Sequence, residues 1–254
     1  MAGVAIGPGL PARAQDAIPI PRPAPRARDI AFAQNSQRPT PPIAIPAAPP
    51  MAQRSATPPT PVLPGPRPLA TPGTLDAGQR ALAGKVSAYL SSLGSLSGNF
   101  VQIGPDGGRT TGDFYIQKPG KVRFEYDPPS PIDVVADGSS VIVRDRKLAT
   151  QDLYPLSQTP LRYLLSDRID LVRDTNLVGV SGDDMFVTVV IEEKQALIGT
   201  SRLMMMLGAK DLQLKQWTVT DPQGYDTTVA VYNLDFSKKL DPALFKIDYT
   251  NYRN

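Results

Sequence analysis

From residue 96 onward, apolar and polar positions alternate in short runs. In "KVRFEYD" (121–127), Val122, Phe124 and Tyr126 are separated by the charged Arg123 and Glu125, the period-two pattern of a half-buried strand. The same reading predicts strands over 96–104, 110–118, 131–137 and 140–145. Further strands are predicted over 177–180, 185–193, 202–207, 212–221 and 225–236. The breaks carry turn chemistry, as in Pro105-Asp106-Gly107-Gly108, Pro119-Gly120, Pro128-Pro129 and Asp137-Gly138. Short strands joined by tight turns predict an antiparallel meander, either a barrel or one strongly curved sheet.

Two stretches depart from that period. After Thr74, the residues Leu75, Leu82, Val86, Tyr89, Leu90 and Leu93 recur at helical spacing, with Gly94 as a stop. They predict one amphipathic helix of about five turns. In "QTPLRYLLSD" (158–167), Thr159 is placed for an N-cap and Pro160 for the first helical position. Leu161, Leu164 and Leu165 then share one face of a short helix, able to cover the mouth of a curved sheet.

Along one face of the predicted strands lie Phe100, Phe114, Ile116, Val122, Phe124, Tyr126 and Val134. Met185, Val187 and Val189 continue the set, and "LMMML" (203–207) brings Met204 and Met206, with apolar groups on both faces of one strand. Methionine is flexible and suits a surface that accommodates variable apolar partners. Two readings stay open for this face: core packed against the first helix, or a cavity wall. Trp217 reads first as a packing anchor.

Composition separates the chain into two parts. Of its 28 Pro, 19 precede residue 73, together with seven Arg and only Asp16 and Asp29 as acids. That part is +5 (7 − 2), and the rest, with 20 basic and 22 acidic residues, is −2. Residues 15–72 read as a disordered Pro/Ala/Arg-rich linker, because such a composition cannot bury enough apolar surface to offset its ordering entropy. Residues 1–14 read as the remnant of a signal peptide that starts upstream of Met1. Ala12-Arg13-Ala14 follows a short apolar run there, in the small-residue pattern of a cleavage site, and an ordinary Ala/Pro-rich terminus is the alternative. No stretch approaches the roughly 18 apolar residues of a membrane span. Residues 73–254 form the expected folded domain.

Chemistry narrows the functions further. The chain has no Cys and no His, which removes thiol nucleophiles, disulfides, the usual structural zinc sites and a Ser-His-Asp triad. The carboxylates sit mainly beside turns, where Asp usually bonds its own backbone. No G-x-S-x-G and no phosphate-cradling Gly-rich loop occurs. Neither an enzyme nor a metal site is expected. With a near-neutral domain and one aromatic, Phe32, in the basic part, nucleic-acid binding is not expected either.

Five motifs taken together resemble a known family. "LSGNFVQ" (96–102), "GDFYIQKPGKVRFEYDPP" (112–129), "VVADGSSV" (134–141), "TPLRYLL" (159–165) and "LKQWTVTDPQGYDTTVAVYNL" (214–234) are similar to the LolA family of periplasmic lipoprotein carriers, in order and spacing, over about residues 75–250. The Pro/Arg-rich part is outside that pattern. The resemblance implies an α+β, mostly antiparallel fold: a half-open, strongly curved β-barrel covered by helices, whose apolar interior shields lipoprotein acyl chains. It implies a monomer without cofactor or metal. Acylated lipoproteins would arrive from an inner-membrane LolCDE-type ABC transporter and leave to a LolB-like or equivalent acceptor at the outer membrane. In the family a basic residue before the Pro of the 118–120 turn helps latch the helical lid. Here it is Lys118 where Arg is usual, so the resemblance implies a looser latch, or one shared with Arg123. The same fold also implies a second possibility, an envelope-stress sensor that detects lipoprotein or glycolipid.

Overall fold

A computed structural model describes residues 57–63, 75–195 and 199–249. Helix α1 (Ala77–Ser92) begins at a capping box. The Asp76 carboxylate accepts from the Gln79 backbone N–H at 2.7 Å, and the Gln79 side chain accepts from the Asp76 N–H at 3.0 Å, so two otherwise orphaned donors are satisfied. Its helical spacing places Ala83, Val86 and Leu90 on one buried face.

The strands that follow are β1 (Ser95–Ile103), β2 (Arg109–Gln117), β3 (Lys121–Tyr126), β4 (Ile132–Asp137), β5 (Ser140–Asp145) and β6 (Thr150–Pro155). After helix α2 (Leu161–Leu165) come β7 (Leu177–Gly182), β8 (Phe186–Gln195), β9 (Gly199–Gly208), β10 (Leu214–Thr220) and β11 (Asp226–Asp235). They form one antiparallel sheet in the order β6-β5-β4-β3-β2-β1-β11-β10-β9-β8-β7. One wing runs outward from β1 to β6. The chain then crosses through α2 to β7, and the second wing runs back to β11 beside β1. Strands β6 and β7 do not pair with each other, so the sheet is an unclosed trough. Residues of both wings, among them Phe124 and Val189, belong to one core with α1 and α2. A single sheet face can share one core only by curling around it.

The sharpest approach lies at the centre of the sheet. Gly98 pairs with Phe114 and Gly112 with Phe100, and each ring covers the glycine opposite. A Cβ on Gly112 would stand 2.8 Å from a Phe100 ring carbon and 2.0 Å from the Glu125 carbonyl oxygen. Glycine here lets backbone and rings approach as a tightly bent sheet requires.

Among the described residues, two segments clothe the outer face. The C-terminal segment, with Leu240 and Phe245 buried, accompanies Val135 and Ile142, which are buried outside the main core. A 3-10 turn (Pro242–Phe245) packs there on β3 and β4. Residues 57–63 touch the outer face at Gln216, although they fall within the stretch expected to be a linker. The signal-peptide remnant and the rest of that linker lie outside the described residues.

Two local expectations are corrected. Strand β6 carries no sequence signal, because it is an edge strand with Leu153 53 % exposed and no apolar face. Thr159 does not cap α2, since Pro160 occupies the cap position. The Thr159 hydroxyl instead donates to the Leu156 carbonyl at 2.9 Å, closing the 3-10 turn Leu156–Gln158.

Candidate functional site

The inner face of the trough is aromatic at its centre. Phe124 meets Phe100 edge-on with ring centroids 5.2 Å apart, stacks on Phe114 at 6.2 Å and tilts against Trp217 at 6.2 Å. Tyr126 meets Phe100 edge-on at 5.0 Å. Such pairs contribute about 0.5–1.5 kcal/mol each beyond area burial. The Tyr126 hydroxyl donates to the Gln102 side-chain oxygen at 2.8 Å, and burial pushes its phenol pKa up.

Most of the residues expected on this face lie there. Phe100, Phe114, Ile116, Val122, Phe124, Val134, Val187 and Val189 are all buried in the shared core, with Tyr126 packed against it. Tyr163, Leu164 and Leu165 are buried from the α2 side, and Leu161 is partly buried. Helices α1 and α2 fill the trough, so the apolar interior is closed in this structure.

Three methionines are placed differently. Met185 is 68 % exposed. It precedes β8 in a turn where the Asp183 carboxylate accepts from the N–H groups of Met185 and Phe186 at 2.8 and 2.7 Å, so the inward alternation of β8 begins only at Val187. Met204 and Met206 face outward and are half-buried, while Leu203, Met205 and Leu207 point inward. An all-apolar run has no alternation with which to choose between faces, and a shift of one residue exchanges them.

The latch is also rearranged. Arg123 lies on the outer face, where it pairs with Glu125 at 2.7 Å and Asp133 at 3.4 Å and donates to the Leu244 carbonyl at 3.2 Å. It fastens the C-terminal segment and is remote from the helices. The Lys118 ammonium donates to the Leu90 carbonyl at 2.6 Å, near the C-terminal end of α1, where the helix dipole favours a cation. Two residues on, the Gly120 N–H donates to the Leu165 carbonyl of α2 at 2.9 Å. One turn therefore holds both helices.

The other wing holds them as well, through residues the sequence reading did not single out. Gln79 of α1 donates to the Val180 carbonyl of β7 at 3.2 Å. Arg162 of α2 pairs with Glu193 of β8 at 3.0 Å, and Gln195 donates to the Gln158 carbonyl at 3.3 Å. Ser87 and Ser91, one helical turn apart, accept the N–H groups of Leu171 and Ile169 at 3.0 and 3.1 Å, stitching α1 to the segment after α2. Each helix thus spans the gap between the wings, fastened at both sides by side-chain and isolated backbone bonds. Polar residues at apolar-helix spacing were the available signal for Ser87 and Ser91.

Burial lowers the Lys118 pKa to about 8, with Asp167 opposing the shift. The folded state therefore binds this proton less tightly than the unfolded chain, whose lysine keeps its ordinary value of about 10.4. Stability attributable to Lys118 should rise as pH increases from about 8 toward 10. Urea midpoints measured across that range should slope upward in the wild type, relative to Lys118→Met. Parallel profiles would show that folding leaves the proton affinity of Lys118 unchanged.

Residues 91–248 match the family model described as outer membrane lipoprotein carrier protein LolA. The chain is 25 % identical over 191 residues to the outer-membrane lipoprotein carrier protein of Chromobacterium violaceum, spanning 70 % of this chain and 91 % of that one. It is 25 % identical over 189 residues to the protein of the same name in Chromohalobacter salexigens, spanning 71 % and 88 %. A LolA superfamily structure from Nitrosomonas europaea is similar with a TM-score of 0.38 at 10 % identity, covering 66 % of this chain and 99 % of that one. The family match runs from the last turn of α1 through all eleven strands to the C-terminal segment, and by it the chain belongs to the LolA family.

Proposed function

We propose that this protein is a periplasmic carrier that shields the acyl chains of lipoproteins between the wings of its sheet. In this reading it receives them from an inner-membrane LolCDE-type ABC transporter and surrenders them to an outer-membrane acceptor of LolB-like or equivalent kind. The observation that carries the proposal is the apolar interior of an unclosed sheet, covered among the described residues by two helices and the segments flanking α2, none of them part of its ladder. An acyl chain of about 15 methylenes loses roughly 12 kcal/mol on exposure to water, at about 0.8 kcal/mol per CH₂. Free diffusion across an aqueous space is correspondingly slow, and a carrier must replace that lost burial. The names of the relatives in Chromobacterium and Chromohalobacter point the same way.

Acyl chains can enter only by displacing α1 and α2 from the aromatic floor, so loading and helix release are one event. The test is native mass spectrometry of the full chain after incubation with a triacylated lipopeptide and, separately, with a glycolipid. The carrier reading expects a one-to-one lipopeptide complex that the unacylated peptide does not form. Uptake of glycolipid but not lipopeptide would replace it by a sensor function, and uptake of neither would return the interior to ordinary core.

A further inference from the structure

The outer face of β9, β10 and β11 contains a buried strip where a bare sheet would meet solvent. Thr188, Met206, Gln216, Ala230 and Val101 stand opposite one another across five strands. Gln216 is 4 % exposed, Ala230 3 % and Val101 0 %, yet Ala230 and Val101 are not part of the inner core. In the next row Thr218 and Thr228, each 1 % exposed, share a hydroxyl hydrogen bond of 2.9 Å.

Gln216 lies beside the inward-facing Trp217 and points the other way. Its side-chain oxygen accepts from the Val62 N–H at 2.8 Å, its side-chain nitrogen donates to the Val62 carbonyl at 2.6 Å, and the same nitrogen lies 3.7 Å from the Met206 sulfur. An amide that takes both backbone groups of one residue imitates a β-bridge, and it reads backbone without regard to side chain. "TPPTPVL" (57–63) suits that reader. Its prolines favour an extended backbone with little entropy left to lose, and Val62 is a non-proline residue offering both N–H and C=O.

We propose that this strip is a docking site for a proline-rich extended segment, and that residues 57–63 of the same chain occupy it. Its consequence is one of routing. Helix α1 starts beside β7, at the gap between the wings. With residues 57–63 docked, the chain is fixed on the back of the sheet at Val62 as well as at the gap through Gln79, and the sequence before residue 57 carries six Arg against two Asp. The connection over residues 64–75 is short, so the local concentration of the segment is on the order of millimolar, and the two hydrogen bonds from Gln216 to Val62 suffice to keep the site filled.

The absence of cysteine from the chain makes a spin label at a single position straightforward. A nitroxide on Thr57→Cys in the full chain should broaden the amide resonances of Met206 and Thr218 and spare those of Gln79 and Val180. Val62→Pro, which removes the donated N–H without touching the sheet, should abolish the broadening on the back of the sheet while leaving the strand resonances in place. Broadening at Gln79 and Val180 instead would overturn the proposal, as would a pattern indifferent to Val62→Pro. Labelled, isotope-free chain mixed with unlabelled isotopic chain supplies the last check. Broadening in that mixture would assign the docked segment to a second copy and overturn the intrachain arrangement.

Discussion

Gly112→Ala is expected to destabilise the domain by about 3 kcal/mol or more, at or beyond the upper end of ordinary overpacking. The added Cβ would lie 2.0 Å from the Glu125 carbonyl oxygen, which is backbone and cannot rotate away. Relief requires β2 and β3 to separate where Gly112 pairs with Tyr126, and it also pushes the Phe100 ring off the glycine. Phe100 touches Phe124 and Tyr126, so the displacement spreads through the aromatic floor. Gly84→Ala is the matched control, because nothing lies within 4 Å of a Cβ built there and the position is in the middle of a helix, where alanine gains about 1 kcal/mol over glycine. Urea unfolding of both variants decides the matter, and similar midpoints would refute the account of the bend.

Leu164→Asp is expected to open the trough without unfolding the sheet. Leu164 is 2 % exposed, and an unpaired carboxylate left at such a site costs several kcal/mol. The fastenings of α2 are weaker than that. The pair between Arg162 and Glu193 is partly exposed, with side chains 37 % and 11 % accessible, and falls in the range of about 1 kcal/mol or less. The bond from Gly120 to Leu165 adds about 1 kcal/mol. Releasing the five-residue helix also exposes Tyr163 and Leu165, at about 1.5–3 kcal/mol each, yet it relieves the buried charge and leaves all the strand pairings intact. Dye binding to exposed apolar surface should rise several-fold while the far-ultraviolet spectrum stays that of the wild type, and lipopeptide uptake should quicken. Loss of the strand signal together with dye binding would mean that α2 is part of the core and not a separable cover.

The strands and their inward faces were legible in the sequence wherever one face is apolar and the other is not. Val122, Phe124 and Tyr126 alternate with charged residues, and their side of β3 follows from that alone. The reading failed where the alternation carries no information. Met204, Met205 and Met206 are equally apolar, so choosing the inner face was a matter of register, and register is set by the partner strands. Strand β6 lacks an apolar face because it borders the gap. The fastenings were the least legible part. Arg123 and Arg162 are both arginines beside apolar residues, and only the curl of the sheet sends one to the back and the other across the opening.

The open edge between β6 and β7 gives the sheet a mechanical property that a closed barrel lacks. A closed barrel has a fixed circumference, and widening it means breaking a ladder. Here the ten strand pairings form a spring with two free ends. A change of about 2° in the twist at each pairing, well within the range of about 10–35° that sheets adopt, would swing the wings apart by about 20° with every ladder intact. Such compliance is spread over the whole sheet and needs no hinge residue. The same molecule could then grip contents of different girth, its strain growing smoothly with the load until the helices let go.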